Sequence, residues 1–177
     1  MATSRTKWNG FSISNLKTMR GMENAAMECD LKFEGKKIAE CYDSGWGGPI
    51  EFDMVEGYSF EKLNAICQTF REPEIFRGIE IPFEAEIFLN ELIQRQQWAS
   101  EVAKLNKSGY GFCMVEFNGN KREQFFNVPL SWSHEKLDED LKRSFGQNSI
   151  KAFSFWKSPS DLDINDRPVN LSDLLVG

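Results

Sequence analysis

Apolar and polar residues alternate along the first part of the chain, which is the pattern of β-strands with one buried face. Residues 8–20 predict a first strand, and the alternation slips at Asn15-Leu16, which indicates a bulge or a bend. Residues 50–54 predict a further short extended segment. The beginning of the chain is therefore expected to form a β-sheet.

Residues 27–42 predict a β-hairpin that turns at Glu34-Gly35, because glycine readily adopts a positive φ angle. A two-residue turn predicts four cross-strand pairs, which are Phe33 with Lys36, Leu31 with Ile38, Cys29 with Glu40 and Met27 with Tyr42. In this register Cys29 and Cys41 lie on opposite faces of the sheet, which argues against a disulfide between them.

Apolar residues recur at helical spacing in the middle of the chain. Ser59 is the expected N-cap of a helix that ends near Phe70. A longer helix is expected to contain Pro82 in its first turn and to close at Ser108-Gly109. The segment between the two helices, residues 75–81, is interpreted as a linker with apolar anchors.

The remaining elements are a second run of strands around one helix. The pattern predicts a strand over 110–117, an Asn118-Gly119 turn, a return strand over 123–130, a helix from Ser133 to Gly146 and a last strand over 150–156. Pro129 indicates that the return strand lies at a sheet edge or ends there, because proline lacks the N–H that a central strand needs.

This succession indicates the α+β class, with antiparallel sheets and helices packed on one face, in the approximate order βββ-α-α-ββ-α-β. The length of 177 residues suits one domain. We expect that domain to span residues 1–157, with an N-terminal hairpin half over 1–107 and a C-terminal ββαβ half over 108–157. Residues 158–177 are polar and acidic, and are expected to form a flexible tail.

The charge balance narrows the class of protein. Lys and Arg number 21 against 27 Asp and Glu, so the net charge is −6, which argues against double-stranded nucleic acid as a partner. No apolar run reaches about 18 residues and no apolar stretch follows the first residues, so neither a transmembrane helix nor a secretory signal is expected. The four cysteines are widely spaced and expected to be reduced and buried, as is typical of a cytoplasmic protein.

The glycine-rich loop, residues 43–49, is the candidate binding site. Its candidate residues for a partner or a ligand are Asp43, Ser44, Gly45, Trp46, Gly47 and Gly48. Two interpretations stay open. The glycines provide only the positive φ angles that a turn needs, or the loop contacts a ligand or partner through Trp46. The sequence does not distinguish a Trp46 packed in the core from one offered to a partner. The loop lacks the phosphate-binding Walker pattern, because no Lys-Ser/Thr is present and no helix opens after Gly48.

The sequence contains no motif of catalysis or metal binding that we recognise. His134 is the single histidine, and no nucleophile or zinc-protease signature accompanies it. The cysteine spacing matches no zinc motif, and Asp161, Asp163 and Asp166 lack the glycine and glutamate of a calcium loop. We therefore expect no catalytic residue, no metal and no cofactor.

Aromatic residues on the predicted second run of strands offer another kind of surface. Five of them are candidates for stacking on single-stranded nucleic acid: Phe112, Phe125, Phe126, Phe153 and Phe155. The alternative is that a helix covers them, and the RNP signature of an RNA-binding sheet is absent.

Residues 31–49 resemble a loose group of small proteins encoded by bacteriophages and other mobile elements. That group shares a hairpin of the form Leu-x-x-x-Gly-Lys-Lys-Ile, a turn of the form Asp-Ser-Gly-x-Gly-Gly, a helical middle and a C-terminal β-hairpin. The matching residues here are Leu31, Gly35, Lys36, Lys37, Ile38, Asp43, Gly45, Gly47 and Gly48. Trp46 stands where the group often has a polar residue or histidine. The resemblance implies an accessory protein in a bacterial cytoplasm.

On these grounds we expect a non-enzymatic protein that binds and modulates a host bacterial protein, such as a defence component, with Trp46 as its anchor. The alternatives are a small-molecule or nucleotide binder that uses the glycine-rich loop, an enzyme with an unrecognised carboxylate site, and a virion component. A homodimer is also compatible with the sequence, because the return strand that ends near Pro129 leaves a sheet edge open.

Overall fold

A computed structural model describes residues 6–20, 25–119 and 123–176, and these form three antiparallel sheets and three α-helices. The strands are β1 (Phe11–Arg20), β2 (Ala25–Phe33), β3 (Lys36–Asp43), β4 (Glu51–Met54), β5 (Glu74–Phe76), β6 (Ile79–Ile81), β7 (Tyr110–Phe117), β8 (Gln124–Pro129) and β9 (Ile150–Trp156). The helices are α1 (Phe60–Gln68), α2 (Ala85–Asn106) and α3 (His134–Phe145), with 3-10 helices over Pro159–Leu162 and Leu171–Leu174. The predicted α+β class is confirmed.

The chain divides into two compact units. Among the described residues, the large unit contains those within 6–96 and 163–176, and the small unit those within 97–162. The division therefore falls inside α2, whereas the sequence predicts one domain with two halves that meet after residue 107. Among the described residues, no helix combines the length and the apolar character that crossing a membrane requires.

The large unit contains a four-stranded sheet in the order β1-β2-β3-β4. The register of β1 on β2 shifts between Ser14 and Lys17, and Asn15 has a φ angle of 55°, which confirms the predicted bulge. The first strand starts later than predicted. Trp8 and Phe11 exchange two backbone hydrogen bonds around an Asn9-Gly10 turn, a dipeptide that favours such turns.

The predicted register of the β2–β3 hairpin is right at the turn and wrong beyond it. Phe33 pairs with Lys36, but a shift follows, so that Leu31 faces Ala39 and Cys29 faces Cys41. The one remaining predicted pair, Met27 with Tyr42, is displaced in the same way, because Met27 faces Asp43 and Glu28 faces Tyr42. Ile38 is the extra residue, and both Ile38 and Ala39 are buried. The bulge therefore allows two consecutive apolar side chains to enter the core.

Aromatic side chains join the N-terminal turn to helix α2. The ring centroids of Trp8 and Phe88 lie 5.2 Å apart, and those of Phe11 and Phe88 lie 5.3 Å apart.

Ser59 caps α1 as predicted, because its hydroxyl accepts a hydrogen bond from the backbone N–H of Lys62. Helix α2 begins at Ala85 rather than at Pro82.

The C-terminal segment, residues 163–176, packs on the large unit, where the sequence predicts a flexible tail. Leu174 is fully buried in the main core. Ile164 forms a parallel bridge with Trp8, and Leu175 forms an antiparallel bridge with Tyr58. Leu174 therefore belongs to the core, and Ile164, Val169 and Leu171 pack against it.

The small unit contains a three-stranded sheet in the order β8-β7-β9. The predicted strands over 110–117 and 150–156 are confirmed to the residue. Strand β8 is an edge strand and ends at Pro129, as its proline indicates. The predicted caps of α3 are also confirmed, since the Ser133 hydroxyl accepts from the N–H of Lys136 and Gly146 closes the helix.

Both faces of β7 carry apolar clusters within the small unit. Cys113 and Val115 pack with Leu137 of α3, and Met114 packs with Val102 of α2. Four of the five candidate stacking phenylalanines are partly buried in these clusters: Phe112, Phe126, Phe153 and Phe155. Phe125 is exposed, but its ring stacks on Phe112 with the centroids 5.3 Å apart.

Candidate partner-binding surface

The glycine-rich loop connects β3 to β4 in the large unit. Its first turn is held by Asp43, whose Oδ1 accepts a hydrogen bond of 2.7 Å from the backbone N–H of Gly45. Gly45 and Gly47 have φ angles of 71° and 78°, so the positive φ angles expected of the turn are present. Trp46 between them is 63% exposed. The loop therefore presents a large apolar side chain to solvent from a backbone that only glycine adopts without strain.

A second apolar surface comes from residues 74–81, which form a β-hairpin in the large unit. Strands β5 and β6 pair only with each other among the described strands, and the two-residue turn has φ angles of 52° at Arg77 and 81° at Gly78. The interpretation of residues 75–81 as a linker anchored by its apolar residues is wrong. We call this element the 74–81 hairpin.

The apolar side chains of the 74–81 hairpin face solvent. Ile75 is 77% exposed, Phe76 is 59% exposed and Ile79 is 67% exposed. Phe76 lies directly opposite Ile79, so these two share one face, while Ile75 shares the other face with Glu80. Exposed large apolar residues are common singly, but here two lie on one face and a third on the other face of one short hairpin. This concentration of exposed apolar side chains is typical of an interaction site. We call these three side chains the apolar patch of the hairpin.

The base of the hairpin is fixed to the large unit through Arg71. Its guanidinium donates two hydrogen bonds to the Glu91 carboxylate of α2, at 2.7 and 2.6 Å, and lies 3.7 Å from Glu74. The hydrogen bond to Glu91 raises the pKa of Arg71 above its ordinary value. The guanidinium carbon also lies 4.4 Å from the centre of the Phe83 ring. The bidentate Arg71–Glu91 ion pair and the contact of Arg71 with the Phe83 ring thus stabilise a hairpin that would be marginally stable alone.

A hydrogen bond between α1 and the start of α2 stabilises the region that follows the hairpin. The backbone N–H of Ala85 donates a hydrogen bond of 2.8 Å to the side-chain oxygen of Asn64, on α1. A small cleft of about 50 Å³ lies between the hairpin base and this helix start. Its lining residues are Arg71, Glu72, Glu74, Ile81, Pro82, Phe83 and Ile87.

A larger cavity of about 310 Å³ lies elsewhere in the large unit, between the Asn9-Gly10 turn and the C-terminal segment. Its polar lining includes Lys7, Asn9 and Asp163. The side-chain oxygen of Asn9 accepts hydrogen bonds from the backbone N–H groups of Asp166 and Arg167, at 3.0 and 3.1 Å. The amide nitrogen of Asn9 is buried without a hydrogen-bond partner. No local sequence pattern indicates this cavity, because its walls come from opposite ends of the chain.

Structural contacts account for three other residues with chemically active side chains, His134, Asp161 and Asp163. The ring of His134 stacks on Phe153 with the centroids 4.5 Å apart. Asp161 accepts hydrogen bonds from the backbone N–H groups of Lys157 and Ser158, and Asp163 accepts one from Lys7. Within the described part of the chain, no group of three or more His, Cys, Asp or Glu side chains is arranged to hold a metal ion.

Comparisons of the chain with protein-family models, with curated proteins and with solved structures found no match. The 74–81 hairpin escaped prediction because its strands have three residues each, too few for a clear alternation, and because Arg-Gly is a weaker turn signal than Asn-Gly.

Proposed function

We propose that the chain is a non-enzymatic accessory protein of a bacteriophage or another mobile element, and that it binds and modulates a protein in the cytoplasm of the host bacterium. A component of a host defence system is one such target. The mobile-element origin is supported by the resemblance of residues 31–49. The binding role is supported above all by the exposed apolar side chains of the 74–81 hairpin.

The size of the patch sets what it contributes to binding. Full burial of an Ile or Phe side chain is favourable by about 1.5–3 kcal/mol, so burial of Ile75, Phe76 and Ile79 together gives roughly 5–9 kcal/mol. Association itself costs roughly 4–15 kcal/mol in lost freedom of motion. The hairpin therefore acts as an anchor within a larger interface, and Trp46 is the second anchor that we propose.

The experiment is an affinity capture from bacterial lysate with the tagged full chain, read by mass spectrometry. The test variant carries Ile75→Ser, Phe76→Ser and Ile79→Ser, and a second variant carries Trp46→Ala. Val176→Ser is the matched control, because Val176 is apolar and 62% exposed at another place. Thermal unfolding of each variant verifies that it is folded.

We expect the wild type and the control to retain one stoichiometric host protein that the triple-serine variant loses. Weaker capture by the Trp46→Ala variant would assign the glycine-rich loop to the same interface. Equal capture by the folded triple variant would exclude the hairpin as the contact. If the wild type retains no protein, the proposed function is wrong.

A second candidate function is binding of a small molecule or nucleotide, and the cavity of about 310 Å³ is the observation that favours it. A nucleotide panel in a thermal-shift assay tests it, with Lys7→Gln as the variant that removes the cationic lining residue. A ligand at 100 times its dissociation constant would add about 2.7 kcal/mol to the free energy of unfolding. No shift with any nucleotide would exclude nucleotides as the ligand.

A further inference from the structure

We infer that the 74–81 hairpin docks into an apolar groove whose rim carries Lys and Arg side chains of the partner protein. This inference rests on the proposed function and names the chemistry of the partner at the same surface. It follows from the charges that surround the exposed apolar side chains.

Acidic residues are concentrated around the hairpin. Residues 71–87 contain two arginines and five glutamates, so this short segment has a net charge of 2 − 5 = −3, which is half of the −6 of the whole chain. The glutamates are Glu72, Glu74, Glu80, Glu84 and Glu86. A partner surface approaching the hairpin therefore meets a negative potential.

The two arginines of this segment are already engaged. Arg71 is held in the bidentate pair with Glu91 and lies near Glu74. The guanidinium carbon of Arg77 lies 5.2 Å from the centre of the Phe76 ring. Glu72, Glu80 and Glu84 are exposed, and no described Lys or Arg lies within salt-bridge distance of them. Three carboxylates, one before the hairpin in the sequence, one within it and one after it, thus remain available to a cationic partner.

The strand pairing places two carboxylates of the hairpin, those of Glu74 and Glu80, among the apolar side chains. Glu80 lies directly opposite Ile75, and Glu74 lies directly opposite Ile81. Opposed side chains on a β-hairpin have Cβ atoms roughly 5 Å apart. Ile75 and Ile81 therefore each lie next to a carboxylate. A complementary partner surface has Lys or Arg side chains next to the apolar residues that contact these isoleucines.

The same arrangement argues against two other occupants. A second copy of this chain that docks hairpin to hairpin would bring two glutamate-rich rims together, and like charges in an interface are strongly unfavourable. Addition of a strand from the partner to the edge of β5 or β6 would gain little, because each strand has only three residues. The side chains of the hairpin, rather than its backbone, carry the recognition.

The experiment places a benzophenone photo-crosslinking amino acid at position 76 of the full chain, where it replaces one exposed aromatic ring by another. The probe is irradiated in bacterial lysate, and the crosslinked peptides are sequenced by mass spectrometry. The same probe is then combined with Glu72→Gln, Glu80→Gln and Glu84→Gln. The matched control has Glu51→Gln, Glu123→Gln and Glu139→Gln, which remove the same charge from other exposed positions.

We expect crosslinks to one foreign protein, in a segment where apolar residues are flanked by Lys or Arg. Their yield is expected to fall at least about tenfold in the hairpin Gln variant and on raising the salt from about 0.05 to 0.5 M, and to stay unchanged in the control Gln variant.

Three outcomes would overturn the inference. The first is crosslinks to a foreign segment without Lys or Arg, or a yield that the Gln substitutions do not change. Either result would contradict the charge complementarity but would agree with the proposed function. The second is crosslinks to another copy of this chain, which would show that the hairpin mediates self-association and does not bind a foreign protein. The absence of crosslinks from a chain that still captures its host protein would place the interface away from the hairpin.

Discussion

Cys29 and Cys41 lie directly opposite each other on β2 and β3, and both are buried free thiols. The hydrogen bond to Cys29 and burial raise the pKa of Cys41 well above its ordinary value. Burial also raises the pKa of Cys67, and it raises the pKa of Cys113 to about 11. At neutral pH the thiols of Cys41, Cys67 and Cys113 are therefore protonated. The hydrogen bond from Cys41 lowers the pKa of Cys29, and all four cysteines are shielded from solvent.

The first prediction is that the native protein reacts slowly with a thiol reagent at pH 8. The thiolate is the reactive form, and all four cysteines are buried, so reaction requires opening of the structure. We expect the four thiols to react at least about a hundredfold more slowly in the native protein than in guanidinium. If one thiol reacts as fast in the native protein as in denaturant, that cysteine is not buried.

The small unit shows which features can be predicted from sequence. The strands over 110–117 and 150–156 and the caps Ser133 and Gly146 of α3 depend on neighbouring residues: alternation, a hydroxyl before the first turn, and a glycine after the last. Signals of this kind are local, so a single sequence contains them.

The register of the large sheet and the candidate surface depend on packing instead. No local sequence signal predicts the bulge at Ile38, because the bulge is stabilised by the burial of Ile38 and Ala39 in the same core. Apolar residues predict burial, so the exposure of Ile75 contradicts the usual expectation. The sequence directed attention to Trp46, but only the structure places it at the surface.

The second prediction concerns the C-terminal segment. Leu174 is fully buried, and its carbonyl accepts a hydrogen bond of 3.1 Å from the N–H of Ser59, the N-cap of α1. Leu174→Ala is expected to lower the free energy of unfolding by about 2–5 kcal/mol, measured by urea titration. Val176→Ala, at an exposed position two residues later, is expected to change it by less than about 0.5 kcal/mol. Equal effects of the two substitutions would indicate a flexible tail.

The third prediction concerns the close approach of two strands at Gly111. A Cβ atom at this position would lie 2.7 Å from Cε2 of Phe155 and 2.8 Å from the backbone oxygen of Trp156. Because that oxygen belongs to the neighbouring strand β9, Gly111→Ala is expected to destabilise the protein by about 1–3 kcal/mol. Gly48→Ala is the control, since nothing lies within 4 Å of its Cβ position. A Gly111→Ala variant as stable as the control would mean that β9 can shift freely.

The last prediction is a pH dependence that originates at Asp30. A hydrogen bond from Lys37 is the main cause that lowers the pKa of Asp30 below its ordinary 3.8, and a hydrogen bond from Asn15 lowers it further. The nitrogen–oxygen distances are 2.6 Å in both contacts. Because the pKa is lower in the folded state, the unfolded chain takes up the proton first as the pH falls. The stabilisation is therefore complete above pH 3.8 and is lost as the pH falls through the folded-state pKa.

Urea titrations at intervals between about pH 2 and 6 measure this contribution. The Asp30→Asn variant is expected to be less stable than the wild type at pH 6, and the difference is expected to shrink toward pH 2. Asp53→Asn is the matched control, because Asp53 is an exposed carboxylate on the same sheet. If the stability difference between the wild type and Asp30→Asn stays constant over this range, the contacts with Lys37 and Asn15 do not favour the ionised form of Asp30.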